Sequence, residues 1–222
     1  MVFMKKLINK DLFIILGIAL LLRFSVLILL RGWINPYALE YGQIAENILM
    51  GKGATFNFYW LREECPLKSF MPPLYPYVLA LFMTTVSKPY FYVLIIQSIL
   101  SSLTTLNVYY IGSWLYERKI GFIAGLCVAL YPAFIISATW NYFYPLTIDI
   151  FLISLMLLLA IKTCTSKEVI YSYATGIVMG ILALSLPQII VFYPFLILWF
   201  FINHVHSLIT KSIIIAIMVM LT

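Results

Sequence analysis

Charged side chains are scarce in this chain. Only 10% of its 222 residues are Asp, Glu, Lys or Arg, whereas 64% are hydrophobic and 17% are aromatic. A soluble domain carries about 25% charged and about 45–50% apolar residues, so these charges would not cover a water-soluble body of this size. The composition therefore predicts an integral membrane protein that contacts membrane lipids. It excludes soluble enzymes, secreted disulfide scaffolds and disordered proteins.

Clustered cysteines and clustered basic residues are also missing. The three cysteines, Cys65, Cys127 and Cys164, lie far apart and lack the spacing of a zinc site, a redox motif or a disulfide framework. Fourteen Lys and Arg against eight Asp and Glu give a formal charge of +6. Because the basic residues are dispersed between apolar runs, this charge does not indicate a nucleic-acid partner.

The first apolar run, from Leu12 to Leu30, predicts a membrane anchor. It has about 19 residues, close to the roughly 20 that cross about 30 Å of hydrocarbon. A signal peptide is the alternative, but its apolar region would be shorter and a small-x-small cleavage site would follow it. Lys5, Lys6 and Lys10 precede the run, so the positive-inside rule predicts a cytoplasmic N-terminus in the plasma membrane.

Later apolar runs predict an all-α, multi-spanning helical bundle with about six to seven transmembrane helices. We treat residues 1–222 as one transmembrane domain. The last run starts near Ser212 and stops at Thr222, too short to cross a bilayer, so we expect a truncated C-terminus. The remaining predicted helices are Tyr90–Tyr116, Ile120–Ser137, Leu146–Ile161, Ile170–Leu186 and Ile189–Ile202.

The segment Leu74–Val86 decides the topology. It has about 13 apolar residues, and runs of 10–14 are more often interfacial or re-entrant than spanning. If it does not cross, Arg118 and Lys119 lie on the same side as the N-terminal lysines; if it crosses, every later loop inverts. Charge bias favours the first arrangement. Residues 31–89, with juxtamembrane helices, and the turn at 141–145 are then extracytoplasmic.

A short surface helix is predicted to start near Leu39. Ile44, Ile48 and Leu49 would form its apolar stripe, with Glu40 toward the polar side, which is typical of a helix lying flat on a membrane. The Gly-x-Gly that follows, at 51–53, permits a sharp turn. Such a helix is either a plain amphipathic plug or the holder of a carboxylate at the bilayer surface.

Two charged residues lie inside apolar spans. Arg23 would cost at least about 2.5 kcal/mol at mid-helix if it were isolated, so we expect it to face the bundle interior or a polar cavity. It either pairs with a neighbouring helix or a phosphate, or takes part in a site. Asp149, near the outer end of its helix, is either a proton acceptor or a structural ion-pair partner of Arg23.

Several segments together resemble the N-terminal half of polyprenyl-phosphate-dependent glycosyltransferases. The likeness is specifically to the dolichyl-phosphate-mannose protein mannosyltransferase-like family, and it covers about residues 15–200. The motifs are an arginine in the first helix, the surface helix with its Gly-x-Gly, a Pro-Pro motif, a serine-rich helix and a Gly-x-x-x-x-x-Tyr-Pro segment. They lie at Leu21–Phe24, Glu40–Gly53, Met71–Tyr77, Ile96–Leu103 and Gly125–Pro132.

The resemblance implies a membrane glycosyltransferase with an extracytoplasmic active site. Such enzymes pass a sugar from a polyprenyl-phosphate donor to a hydroxyl on a lipid, glycan or protein. A carboxylate of the first loop acts as base, and the lipid phosphate leaves. The resemblance gives no certain cofactor and leaves room for a divalent cation near Glu40.

The resemblance also suggests roles for particular residues. Glu40 and Asp149 are the candidate bases, and we expect them to meet on the extracytoplasmic side. Tyr37 occupies the position of the family's first-loop aspartate, and Glu40 is the nearby acid. Tyr41 would line the sugar pocket. The candidate phosphate ligands are Arg23, Lys52, Arg62 and Lys68.

Two other functions remain open at the level of sequence. The chain could be a catalytically inactive or truncated family member that binds lipid-linked sugar. It could also be a membrane transporter or flippase, but a transporter is expected to show broken helices at matching positions of two halves. Here the polar residues concentrate in one external loop, which favours the glycosyltransferase.

Overall fold

The computed structural model describes residues 10–34, 40–56, 67–68, 71–140, 144–166 and 168–203. Within these ranges the chain is almost entirely helical, which confirms the predicted all-α membrane fold. The helices are α1 Lys10–Leu30, α2 Glu40–Leu49, α3 Leu74–Thr85, α4 Pro89–Leu115, α5 Arg118–Leu130, α6 Pro132–Thr139, α7 Leu146–Thr165, α8 Val169–Ser185 and α9 Tyr193–Ile202. A 3₁₀ helix, Pro187–Phe192, precedes α9, and an antiparallel ribbon joins β1 Thr55–Phe56 to β2 Leu67–Lys68.

Three of the described helices, α1, α4 and α7, are long and apolar enough to cross a membrane. The pair α5 and α6, bent by 51°, would make a fourth span. The helices α3 and α8 and the segment 187–202 are apolar but shorter. The predicted number of six to seven spans stays a prediction, and the helix expected from Ser212 lies outside the described residues.

The break between α5 and α6 corrects the sequence prediction of one helix over Ile120–Ser137. Tyr131 has an extended backbone, with φ −68° and ψ 117°. The next residue is Pro132, and proline disfavours the helical region for the residue before it. Pro132 itself starts α6, where its missing N–H costs nothing. The apolar run is therefore continuous in sequence, although the helix is interrupted at Tyr131.

The chain forms two compact units. Unit 1 comprises Met1–Ile34, Leu94–Asn141 and Leu146–Leu158, and unit 2 comprises Asn35–Val93, Tyr142–Pro145 and Leu159–Thr222. The core of unit 1 is built where α1 meets α4 and α5. Its buried cluster contains Ile15, Ala19, Tyr109 and Ala129.

The helices of unit 1 alternate in direction. Arg23 of α1 bonds Ser101 of α4, and Ile15 packs with Tyr109 further along α4, so these two helices are antiparallel. Asp11 pairs with Arg118, at the start of α5, across 2.7 Å. Because Arg23 also reaches the end of α5, α5 runs parallel to α1.

The start of α7 lies at the same end of unit 1 as the C-terminus of α1. Asn107 of α4 donates to Ser154 of α7 at 3.0 Å, and residues 101–104 of α4 line one cavity with residues 147 and 150 of α7, so these helices are parallel. A Cβ placed on Gly32 would lie 3.9 Å from Leu94 Cδ1 and 3.7 Å from Trp140 Cα. We call this the Gly32 end, and the opposite end, with its ion pair, the Asp11 end.

Glycines allow α4 and α5 to approach closely. A Cβ on Gly112 would lie 3.0 Å from Gly121 Cα, and one on Gly121 would collide with Ser113 Oγ at 1.9 Å. A Cβ on Gly125 would lie 3.1 Å from the carbonyl oxygen of Thr105. Small residues at such contacts are typical of membrane helix interfaces, where packing rather than a hydrophobic gradient drives association.

Unit 2 packs α2 against α3, and α8 against the 3₁₀ helix. The Thr163 and Thr175 hydroxyls are 3.1 Å apart and link the end of α7 to α8. The Tyr193 hydroxyl donates to the carbonyl oxygen of Met179. Interhelical hydrogen bonds of this kind are the expected partners of polar groups in an apolar bundle.

Candidate functional site

The predicted surface helix is present as α2. It begins at Glu40, one residue from the predicted start, and it buries Tyr41, Ile44 and Ala45. Leu49, predicted to lie in the apolar stripe, is 45% exposed. Five residues at about 100° each turn Leu49 roughly 140° away from Ile44, so the two side chains cannot share one buried face.

Tyr41 lies at the centre of three aromatic rings in unit 2. Its ring meets the ring of Tyr75 edge-on, with centroids 5.3 Å apart, and the ring of Tyr144 at 6.1 Å. Tyr41 and Tyr75 are 5% and 1% exposed, whereas Tyr144 is 45% exposed. Edge-to-face pairs of this kind fix ring orientation. Of these three tyrosines, the sequence led us to propose only Tyr41 for the sugar pocket. Tyr75 lies in the Pro-Pro motif, and that motif was the sequence feature that could have pointed to it.

Glu40 has one carboxylate oxygen in an unusual position. Its Oε2 is buried from solvent and has no hydrogen-bond partner among the residues that the structure describes. Buried polar atoms are usually paired, so an unpaired one in a native fold requires an explanation. Glu40 lies in the first turn of α2. The result is an acceptor lone pair held away from bulk water.

The loop after α2 is built by a glycine C-cap. Gly51 has φ 73°, and the N–H groups of Lys52 and Gly51 donate to the carbonyls of Asn47 at 2.9 Å and Ile48 at 3.1 Å. This is the Schellman pattern, which needs the left-handed conformation that glycine adopts without strain. Gly53, with φ 75°, completes the predicted turn. The Gly-x-Gly prediction is therefore confirmed.

The turn after α2 and the ribbon beyond it carry two lysines. Asn47 Nδ2 donates to the carbonyl oxygen of Thr55 at 2.8 Å, which ties the end of α2 to β1. Thr55 is the register partner of Lys68 on β2. Lys52 and Lys68 are both exposed. Arg62, the other candidate phosphate ligand of this loop, lies outside the described residues.

Arg23 is buried completely in unit 1. Its Nε donates to Ser101 Oγ at 2.8 Å, and its terminal nitrogens donate to the carbonyl oxygens of Ala19, Ala129 and Val128 at 3.2, 3.1 and 3.4 Å. An α-helical carbonyl at 128 would normally accept from the N–H of residue 132, which is proline. Arg23 therefore caps the last turn of α5 where the helix breaks. Its role as a phosphate ligand stays a prediction.

Asp149 lies in the first turn of α7 and is 6% exposed. It follows Pro145, which caps the helix without a side-chain hydrogen bond. The hydrogen bonds of Arg23 go to a hydroxyl and to carbonyls, so the described residues give no Arg23–Asp149 ion pair.

The candidate residues divide between the two units. Glu40, Tyr41, Lys52 and Lys68 belong to unit 2, whereas Arg23 and Asp149 belong to unit 1. The expected meeting of Glu40 with Asp149 stays a prediction. Among the described residues, no group of three or more His, Cys, Asp or Glu side chains could hold a metal ion.

Comparison with known proteins gives one family. A family model described as dolichyl-phosphate-mannose-protein mannosyltransferase matches residues 71–222, more than half of the chain. A comparison with curated proteins found no match. The matched region begins at the Pro-Pro motif, so α2 and its loop precede it. The family resemblance drawn from the sequence motifs is confirmed.

Proposed function

The chain belongs to the dolichyl-phosphate-mannose-protein mannosyltransferase family, and from this premise we propose a specific reaction for it. The family consists of membrane glycosyltransferases. The proposed activity moves a sugar from a polyprenyl-phosphate donor to a hydroxyl of a lipid, glycan or protein. The reaction takes place on the extracytoplasmic face of the plasma membrane.

The shielded Oε2 of Glu40 is the observation that carries this proposal. A general base needs a free lone pair that comes within reach of the acceptor hydroxyl, so this proposal requires the buried Oε2 to be uncovered when the acceptor binds. Glu40 takes the hydroxyl proton as the oxygen attacks the anomeric carbon of the donor sugar. The bond from that carbon to the phosphate oxygen breaks, and polyprenyl phosphate leaves with the electron pair. Protein groups then only have to orient the reactants and stabilise the phosphate.

Other residues of unit 2 fit the remaining requirements. Tyr41, held by two neighbouring rings, is a rigid wall for a sugar beside the base. Lys52, in the turn after α2, and Lys68, on β2, are exposed ammonium groups, and lysine is a common phosphate ligand in proteins. We assign Tyr41 to the sugar and the two lysines to the donor phosphate.

Helix direction supports the assignment of the reaction to one face. Since α1 and α4 are antiparallel, the chain leaves unit 1 and returns to it at the Gly32 end. The segment that joins α1 to α4 therefore starts and ends at the Gly32 end, and α3, with 12 residues, is about 18 Å long, well short of the hydrocarbon. Arg118 and Lys119 lie at the Asp11 end, which the positive-inside rule makes cytoplasmic.

Asp149 is the second candidate base under this proposal. Its helix starts at the Gly32 end of unit 1, the end we assign to the extracytoplasmic side. Its burial suits a carboxylate that is shielded from bulk water, as a proton acceptor requires.

The experiment that tests the proposal is a transfer assay with the full-length protein reconstituted in liposomes. A radiolabelled polyprenyl-phosphate sugar is supplied with membrane lipid as acceptor, and released polyprenyl phosphate is measured beside label on the acceptor. We expect both products to appear together. Bound donor without product would indicate a binding protein, and intact donor moved to the other leaflet would indicate a flippase; either result would contradict the proposal.

A further inference from the structure

A small, partly open cavity in unit 1 is lined by hydroxyl groups that the proposed reaction does not use. It lies between α4, α6 and α7 and has a volume of about 10 Å³. A cavity of roughly this size holds a single water molecule. Its lining residues are Ser101, Thr104, Phe134, Ser137, Thr147 and Ile150.

Three of the lining hydroxyls already donate their hydrogen in a hydrogen bond within the protein. Ser101, Thr104 and Ser137 each donate to a backbone carbonyl oxygen, at 3.3, 3.0 and 3.2 Å. A hydroxyl carries one hydrogen and two lone pairs. These three groups therefore present acceptor lone pairs rather than donors.

The fourth hydroxyl, that of Thr147, does not donate its hydrogen to any described residue. Thr147 is 3% exposed, and its Oγ1 has no hydrogen-bond partner among the residues that the structure describes. Its hydrogen is therefore available for donation. An unsatisfied buried hydroxyl is costly, and the cost is removed only by a partner that fits the cavity.

We propose that one bound water molecule occupies this cavity. The water accepts a hydrogen bond from Thr147 and donates its two hydrogens to Thr104 of α4 and Ser137 of α6, because Ser101 already accepts a hydrogen bond from Arg23. Three hydrogen bonds are the usual number for a buried water. A cation would also suit a set of oxygen ligands, but the Arg23 guanidinium already donates to Ser101 at 2.8 Å. That positive charge beside the cavity favours a neutral occupant.

The water would join three helices at the Gly32 end of unit 1. It links the first turn of α7 to the middle of α4 and to α6. Among the described residues, the Thr147 hydroxyl has no other hydrogen bond that would make this link. Asp149 lies two residues beyond Thr147 on the same turn. The water is thus part of what fixes that turn, whatever Asp149 does.

A threonine-to-valine substitution tests the proposal because the two alternatives predict opposite signs. Thr147→Val replaces the hydroxyl with a methyl group of similar size. If a water is bound, the variant loses its hydrogen bond and the melting temperature of the protein in detergent falls by about 2–4 °C. If the cavity is empty, the variant removes an unpaired polar group and the melting temperature rises, which would overturn the proposal.

A double-mutant cycle identifies the shared water. With a bridging water, Thr104→Val and Thr147→Val together lower the melting temperature by less than the sum of the single changes. The matched control is Thr105→Val, because Thr105 is also buried on α4 and donates to its own helix at 2.6 Å but does not line the cavity. Its combination with Thr147→Val is expected to be additive. Additivity at Thr104 as well would overturn the proposal.

A direct observation is available if a variant does not fold. A crystallographic map of the wild-type protein that resolves ordered water is expected to show a density peak within hydrogen-bond distance of Thr147 Oγ1. A map of that quality with an empty cavity would overturn the proposal.

Discussion

Arg23 offers a sharp test of how this bundle accommodates a buried charge. Its guanidinium makes four hydrogen bonds, to α1 itself, to α4 and to the last turn of α5. Hydrogen bonds inside membrane proteins are worth about 0.6 kcal/mol each on average, so the four together contribute about 2–3 kcal/mol. Arg23→Met removes all four bonds and also the cost of burying the charge, so the informative substitution is one that keeps the charge.

Arg23→Lys separates the shape of the side chain from its charge. A lysine ammonium keeps the positive charge but is a single point, and it cannot reach Ser101 and the two carbonyls of α5 together. We expect Arg23→Lys to lose more than half of the stabilisation, about 1–2 kcal/mol. The measurement is unfolding of the purified protein in mixed micelles by increasing fractions of SDS.

A matched arginine controls for the substitution itself. Arg118 is exposed and pairs with Asp11 at the Asp11 end, so Arg118→Lys should leave the free energy of unfolding nearly unchanged. If Arg23→Lys were as stable as the wild type, capping of α5 by a fork-shaped donor would be refuted. Charge alone would then explain an arginine at this position.

Two further predictions concern packing and topology. Gly121→Ala should lower the free energy of unfolding by about 1–3 kcal/mol, because its new methyl group would lie 1.9 Å from Ser113 Oγ. Gly17→Ala is the control and should raise the free energy of unfolding slightly, because nothing lies within 4 Å of its new methyl group. Equal effects of the two substitutions in the micelle assay would contradict the packing. In a variant with its native cysteines replaced by serine, an impermeant thiol reagent added to intact cells should label Lys52→Cys but not Lys119→Cys, and the reverse pattern would show an inverted topology.

Much of the helical framework follows from local signals. The start of α7 directly after Pro145 agrees with the predicted start at Leu146, and the Gly-x-Gly after α2 has the positive φ values that the turn requires. These features depend on proline and glycine at fixed positions along the chain. Local chemistry was sufficient for them.

Other features depend on partners that are distant in sequence. The cost of a charge in an apolar span shows that Arg23 needs acceptors, but the acceptors come from residues 101 and 128–129, which sequence spacing does not reveal. Tyr131 sits within an unbroken apolar run, and periodicity alone treats it as helical. The exposure of Leu49 shows that an apolar residue on a surface helix can face away from its bundle.

The candidate site is predictable to a similar degree. Glu40 could be chosen because it is the nearby acid beside Tyr41 in the resemblance. What the sequence could not supply is that one of its oxygens is buried and unpaired among the described residues, while Glu46 on the same helix is exposed. That difference arises from the packing of α2, because both residues are glutamates of the same helix.

The most direct measurement is sugar transfer by Glu40→Gln beside Glu46→Gln, with both variants reconstituted like the wild-type protein. Gln keeps the size of the side chain and removes its capacity to accept a proton. We predict that Glu40→Gln lowers kcat/KM by about 100-fold or more with donor binding retained, whereas Glu46→Gln stays close to the wild-type value. Full transfer by Glu40→Gln would contradict the assignment of this carboxylate as the base.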